Sequence, residues 1–188
     1  MGERRLARLN GEFDVRVERR FLEIHPETPA EGRPVSALGY PPAQWARMME
    51  NLARMGKAEN IVFSERNFTT NSHKSLLLAE AAKGEGLEIF EALNEGLFRA
   101  YFTDGRNIGD PRVLRDVAQS AGVPTDRIEQ AWSDSAYEER LAIDREAAAQ
   151  IGITGIPTFI VDGRWIIEGA VPVEMLREVA QKIVAGKP

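Results

Sequence analysis

The chain has no cysteine among its 188 residues. A disulfide framework, a thiolate metal site and a cysteine nucleophile are all excluded. Histidine is almost as scarce. The two present, His25 and His73, lie far apart and outside a spacing such as His-Glu-x-x-His, so each reads as a surface or capping residue. An excess of positive charge is lacking too: 24 Lys and Arg stand against 29 Asp and Glu, and the net charge of −5 argues against clamping nucleic acid or an anionic membrane. No stretch approaches the length of an apolar membrane span, and Met1-Gly-Glu-Arg-Arg-Leu6 opens without an apolar run behind its charges, so the expectation is a cytoplasmic protein. Neither a cofactor nor a metal is expected. Gly84-Glu-Gly86 runs on into Leu87-Glu-Ile89 without the spacing of a dinucleotide or phosphate loop, and Asp104, Asp110 and Asp162 read as turn and cap residues rather than a catalytic pair.

What is there is an ordinary globular composition, 43% hydrophobic, sufficient for one core or for one core with an inserted subdomain. Its sharpest local signal is a hairpin. Phe159 to Val161 and Trp165 to Ile167 are apolar β-formers, and Asp162-Gly163 between them supplies the positive φ of a tight turn. Pro157 has no N–H for a ladder and belongs at the edge or start of the first strand, with Gly155 free to turn sharply ahead of it. Near the other end, residues 3–10 predict a short amphipathic helix stopping at Gly11. Phe13, Val15 and Val17 then alternate with polar residues and predict a strand at 13–22. The six arginines from Arg4 to Arg20 are interspersed with Glu3, Glu12, Asp14 and Glu18 and read as a solvated face.

Residues 25–42, rich in Pro, Glu and Gly, predict an ordered connection, and from Pro42 the period is helical up to Gly152. Trp45, Met48, Met49 and Leu52 share one face of the first helix there, a spacing that fits core packing at least as well as a substrate-binding patch. Asn71 and Ser72 are N-caps for a helix carrying Leu76 and Leu77; Asp110-Pro111 caps and opens another, closed by Gly122-Val-Pro124; Ser133 caps the last long one. After the hairpin, Pro172 starts a terminal helix with Leu176, Val179 and Ile183 on one face. The order is helix, strand, helical insert, strand, strand, helix, which is an α/β arrangement.

Several phrases in this order resemble the DsbA-like thioredoxin-fold oxidoreductases, most closely their FrnE-type branch. They are Phe21-Leu-Glu-Ile-His-Pro-Glu-Thr-Pro-Ala-Glu-Gly32, Leu97-Phe-Arg-Ala-Tyr-Phe102 with Gly105-Arg-Asn-Ile-Gly-Asp110, Gly155-Ile-Pro-Thr-Phe159 and Gly169-Ala-Val-Pro172. The resemblance implies a thioredoxin-like fold in which residues 1–41 and 152–188 form the main domain and 42–151 a helical insertion. It implies a cis Ile156-Pro157 bond whose flanking backbone, at Ile156, pairs with an extended peptide or the backbone of glutathione. It also places Asn71 and Ser72 at the opening of the helix lining that groove, where free N–H groups suit an anionic ligand. The pattern breaks at the front. Family members begin with a strand and Cys-Pro-x-Cys before a Gly-Lys-Arg-Arg-like run, whereas here Gly2-Glu-Arg-Arg-Leu6 matches that run and the chain starts with it. The first strand and both cysteines are missing together, and an internal methionine of a longer reading frame is preferred to a dithiol-free descendant.

The family reaction, thiol-disulfide exchange, needs a low-pKa thiolate and a resolving cysteine. This chain has neither and expects a thiol or disulfide peptide, or a glutathione-like molecule, as partner, with no catalytic residue of its own. Two other readings stay open: a glutathione-dependent enzyme resembling kappa-class transferases and hydroxychromene-carboxylate isomerases, and a non-catalytic peptide-binding module. The missing strand would lie between residues 13–22 and the strand starting near Thr158. Its place is expected to be filled by a second copy, giving a homodimer, or left wet, rather than closed by direct pairing of those two strands.

Overall fold

The computed structural model describes residues 1–65 and 67–186. Helix α1 spans Gly2–Ala7, and turns closed by Leu9 N–H on the Leu6 carbonyl and Phe13 N–H on the Leu9 carbonyl, both 2.9 Å, carry the chain to Phe13. Two-residue strands β1, Arg33–Pro34, and β2, Phe68–Thr69, pair antiparallel. Between them lies α2, Pro42–Lys57, which opens where Pro42 brings a preset φ to a position whose N–H would find no partner. The apolar face of α2, with Trp45, Met49, Leu52 and Met55 half-buried, lies outside both core clusters of the described residues, and Trp45 stacks on Tyr40 at 6.1 Å. Only Gly56 of this helix is buried, where a Cβ would stand 2.4 Å from Phe63 Cε2.

Five helices build the body of the molecule: α3 His73–Ala82, α4 Leu87–Phe98, α5 Pro111–Ser120, α6 Thr125–Ala131 and α7 Ser135–Gln150. Their ends follow local chemistry. Asp110 Oδ1 accepts the Arg112 N–H at 2.8 Å ahead of α5, and Asp134 Oδ1 accepts the Ala136 N–H at 3.0 Å ahead of α7, so Asp134 rather than Ser133 is that cap. Helix α6 lies between the closure at Gly122-Val-Pro124 and the last long helix, where the sequence analysis names no separate helix. It buries just Ile128 and Ala131, too few positions for a periodicity to register. Leu78, Leu93, Leu114 and Ile128, from α3, α4, α5 and α6, are the fully buried centre of this body. A π-helical turn, Arg99–Thr103, extends α4 and sets Tyr101 edge-on to Phe68 at 6.0 Å and Phe102 edge-on to Phe63 at 5.8 Å.

Strands β3, Thr158–Val161, and β4, Trp165–Glu168, form the hairpin, with Thr158 opposite Glu168 and Val161 opposite Trp165. Asp162 and Gly163 turn it with φ of 53° and 65°. Helix α8, Val173–Val184, follows. A second core forms here from Leu9, Ile167, Val173, Leu176 and Val179, with Phe13, Val15, Phe159 and Val161 packed against it. Among the described residues no helix is long and apolar enough to cross a membrane.

The strand predicted at 13–22 is absent as a strand: residues 14–23 form no helix, ladder or turn. The alternation behind the prediction survives except at Val17, which is exposed: Phe13, Val15, Arg19 and Phe21 are partly buried while Asp14, Arg16, Glu18 and Arg20 are exposed. A ladder partner is what is lacking. Among the described residues the backbone of Asp14–Arg20 has one hydrogen bond, from Lys83 Nζ to the Arg19 carbonyl at 2.7 Å, and no bond joins it to β3.

Candidate functional site

Pro157 sits where the hairpin begins, after a cis bond from Ile156. Its carbonyl accepts the Gly169 N–H at 2.7 Å, and Thr158 Oγ1 donates to the Gly155 carbonyl at 2.8 Å, so the segment is held on both sides of Ile156. Ile156 itself stays open. It is 61% exposed, and among the described residues neither its N–H nor its carbonyl has a protein partner. The start of α1 lies directly against this point. A Cβ on Gly2 would stand 3.1 Å from Pro157 Cγ and 3.0 Å from Phe159 Cζ, so the helix approaches the proline more closely than an ordinary side chain would permit.

The basic run of α1 fixes that approach. Arg5 is buried, its Nε donates to Glu59 Oε1 at 2.8 Å, and its Nη1 donates to the carbonyls of Ala170 and of Val171, the latter at 3.0 Å. Arg8 Nη2 reaches the other oxygen of Glu59 at 2.7 Å, and Arg4 Nη1 donates to the Glu59 carbonyl at 2.9 Å. The solvated face predicted for this run therefore fails at Arg5. Its side chain ties α1 to the loop after the hairpin and to the segment after α2, a constraint that depends on residues distant in sequence.

Asn71 and Ser72 stand at the entrance of α3, and none of their hydrogen bonds reaches Ile156 or Pro157. Asn71 Oδ1 accepts the His73 N–H at 2.9 Å and its Nδ2 donates to the Thr28 carbonyl at 2.7 Å, so both ends of the amide are engaged within the protein. The Ser72 carbonyl accepts from Ser75 Oγ at 2.6 Å and from the Leu76 N–H at 2.9 Å, and the Ser72 hydroxyl has no protein partner among the described residues. Asn107 Nδ2 holds the neighbouring Ala30 carbonyl at 2.8 Å, so the 21–32 and 105–110 phrases meet at this corner.

Next to that corner is a charged junction that sequence reasoning missed. His73 Nδ1 lies 3.2 Å from Glu23 Oε2 and its Nε2 lies 2.9 Å from Glu138 Oε1. A cavity of about 80 Å³ opens beside it, lined by Phe21, Leu76, Leu141, Ala142 and Arg145 as well as these three residues. Burial alone lowers the His73 pKa, but the hydrogen bonds and charges of Glu138 and then Glu23 outweigh it, and the pKa is raised above 6.5. The three groups come from positions 23, 73 and 138, and no local spacing links them. Among the described residues no group of three His, Asp or Glu side chains is arranged to hold a metal ion.

Comparison with known proteins places this geometry. The family model of the DSBA-like thioredoxin domain matches residues 1–181. The uncharacterized protein YwbO of Bacillus subtilis is 25% identical over 165 residues, covering 84% of this chain and 76% of its own. The crystal structure of a probable DsbA oxidoreductase from Streptomyces coelicolor superposes with a TM-score of 0.88 at 25% identity, over 100% of this chain and 85% of that one. A second solved chain, from Nitrosomonas europaea, shares the fold at a TM-score of 0.65 and 16% identity, over 79% of this chain and 78% of its own.

Proposed function

We propose that this chain, which belongs to the DSBA-like thioredoxin domain family, holds an extended peptide or the backbone of a glutathione-like molecule at Ile156 and Pro157. The dithiol of the family reaction is absent from these 188 residues, which contain no cysteine. The groove and the chemistry are thus separable in this chain. One observation carries the reading: Ile156 is 61% exposed with both backbone groups unpaired among the described residues, while the residues on either side of it are fixed by hydrogen bonds. An open donor and acceptor on a rigid edge are what an added strand needs.

Within the same proposal the chain belongs to the FrnE-type branch, with the Ser72 hydroxyl offered to the ligand and Asn71 positioning the helix entrance. Residues 42–151 act as a helical insertion into a thioredoxin-like domain made of 1–41 and 152–188, supported by the separate hydrophobic clusters of the helical body and of the hairpin. A cytoplasmic setting is supported by a cysteine-free composition, which needs no oxidising compartment.

The test is titration of a cysteine-free β-forming hexapeptide, and separately of reduced glutathione, into isotope-labelled protein. Amide shifts concentrated at Gly155, Ile156 and Thr158 are expected, with insulin reduction no faster than a buffer control. Absence of shifts there at millimolar ligand removes the groove assignment. Thiol-dependent turnover by the cysteine-free chain would remove the separation of groove and chemistry.

A further inference from the structure

The segment Asp14–Arg20 carries a charge pattern that matches itself. Its exposed charged residues are Asp14, Arg16, Glu18 and Arg20, alternating in sign along the segment, with Glu18 and Arg20 side chains 74% and 57% exposed. Asp14 and Arg16 have no ion-pair partner among the described residues, and the backbone between them is unpaired. When two copies of such a segment run antiparallel about a two-fold axis at Val17, residues opposite each other have numbers that sum to a constant, and every outward pair is then of opposite sign. Asp14 of one copy faces Arg20 of the other, and Arg16 faces Glu18, each twice in the dimer. Phe13 meets Phe21 on the inward side, and Val17, 39% exposed, meets its own copy at the centre.

Other registers fail on the same face. Centring on Arg16 sets Arg16 against itself and Asp14 against Glu18. Centring on Glu18 sets Glu18 against itself and Arg16 against Arg20. A slip of one residue brings the charged face of one copy beside the apolar face of the other. We propose that residues 13–21 form an antiparallel, two-fold symmetric strand pair with a second copy of this chain, centred on Val17, which supplies the ladder these residues lack within one copy.

The absence of native cysteine makes the test direct, since a single introduced thiol can form a disulfide only between copies. In an antiparallel pair, residues directly opposite have Cα atoms about 4.5 to 5.5 Å apart, within the range a disulfide spans. Val17→Cys is expected to give a cross-linked dimer under mild oxidation, and Ile160→Cys, on the half-exposed hairpin face, is expected to give little. Light scattering across the micromolar range is expected to show monomer and dimer in equilibrium. Arg16→Glu, which breaks no ion pair among the described residues, sets like charges opposite twice per dimer and is expected to weaken dimerisation about tenfold. Adding Glu18→Arg restores it to within about threefold, as the pairs are again opposite in sign. A monomer at all concentrations, equal cross-linking at Ile160, or a double variant that folds by circular dichroism yet stays as weak as Arg16→Glu would each overturn the proposal.

Discussion

Arg5 and Glu59 are the charged pair most removed from water in the molecule's N-terminal half, with side chains 9% and 5% exposed. A pair so placed adds little relative to an apolar pair of the same shape, but losing one member strands the other. Glu59→Ala is therefore expected to lower the unfolding free energy by about 3 kcal/mol in a urea titration. Glu95→Ala, which removes the Arg4 pair between side chains 48% and 76% exposed, is expected to change it by less than about 0.5 kcal/mol. The sequence shows the arginines but not this difference. Arg5 and Arg8 read alike in a string of alternating charge, and only the arrival of Glu59, 54 residues beyond Arg5, makes one a buried anchor and leaves the other half in solvent.

At the level of elements, the His73 junction joins α3, α7 and the segment before β1, and its strength depends on protonation. The folded pKa is raised above 6.5, so the folded state holds the proton more tightly than the unfolded chain does. The stabilisation is fully present below pH 6.5 and is lost as pH rises through the folded value. His73→Gln is expected to lower the melting temperature clearly at pH 5.5 and much less at pH 8.5, while NMR titration of His73 locates the raised pKa. The parts of the fold legible in the sequence are those settled by near neighbours. Asp162-Gly163 makes its turn and Asp110-Pro111 opens its helix whatever lies elsewhere in the chain. The alternation at 13–21 is equally clear, yet a strand exists only when another lies beside it, and Trp45 to Met55 show a helical face without showing what, if anything, it packs on. At the candidate site the same division holds: Pro157 is marked by the hairpin next to it and Ile156 by the resemblance carried by Gly155-Ile-Pro-Thr-Phe159, whereas the commitment of the Asn71 amide to Thr28 and His73 required the tertiary structure.

On the scale of the whole molecule, two cores differ in how far apart their members stand in sequence. The helical body gathers Leu78 to Ala131, residues that neighbouring helices bring together with short connections. The hairpin core joins Leu9 to Ile167, Val173, Leu176 and Val179, and the Arg5 bond to Ala170 that reinforces it spans 165 residues. Closing so long a loop is entropically uphill until its contacts form, so the two cores are expected to reach their native packing in a fixed temporal order. Two tryptophans report on them separately: Trp132 packs on the helical body and Trp165 on the hairpin core. In stopped-flow refolding, a variant keeping only Trp132 should recover its native fluorescence before one keeping only Trp165, and identical time courses would contradict that order. It follows that the open edge at Ile156 takes shape last, and that a chain emerging from synthesis exposes a finished helical body while that edge is still unmade.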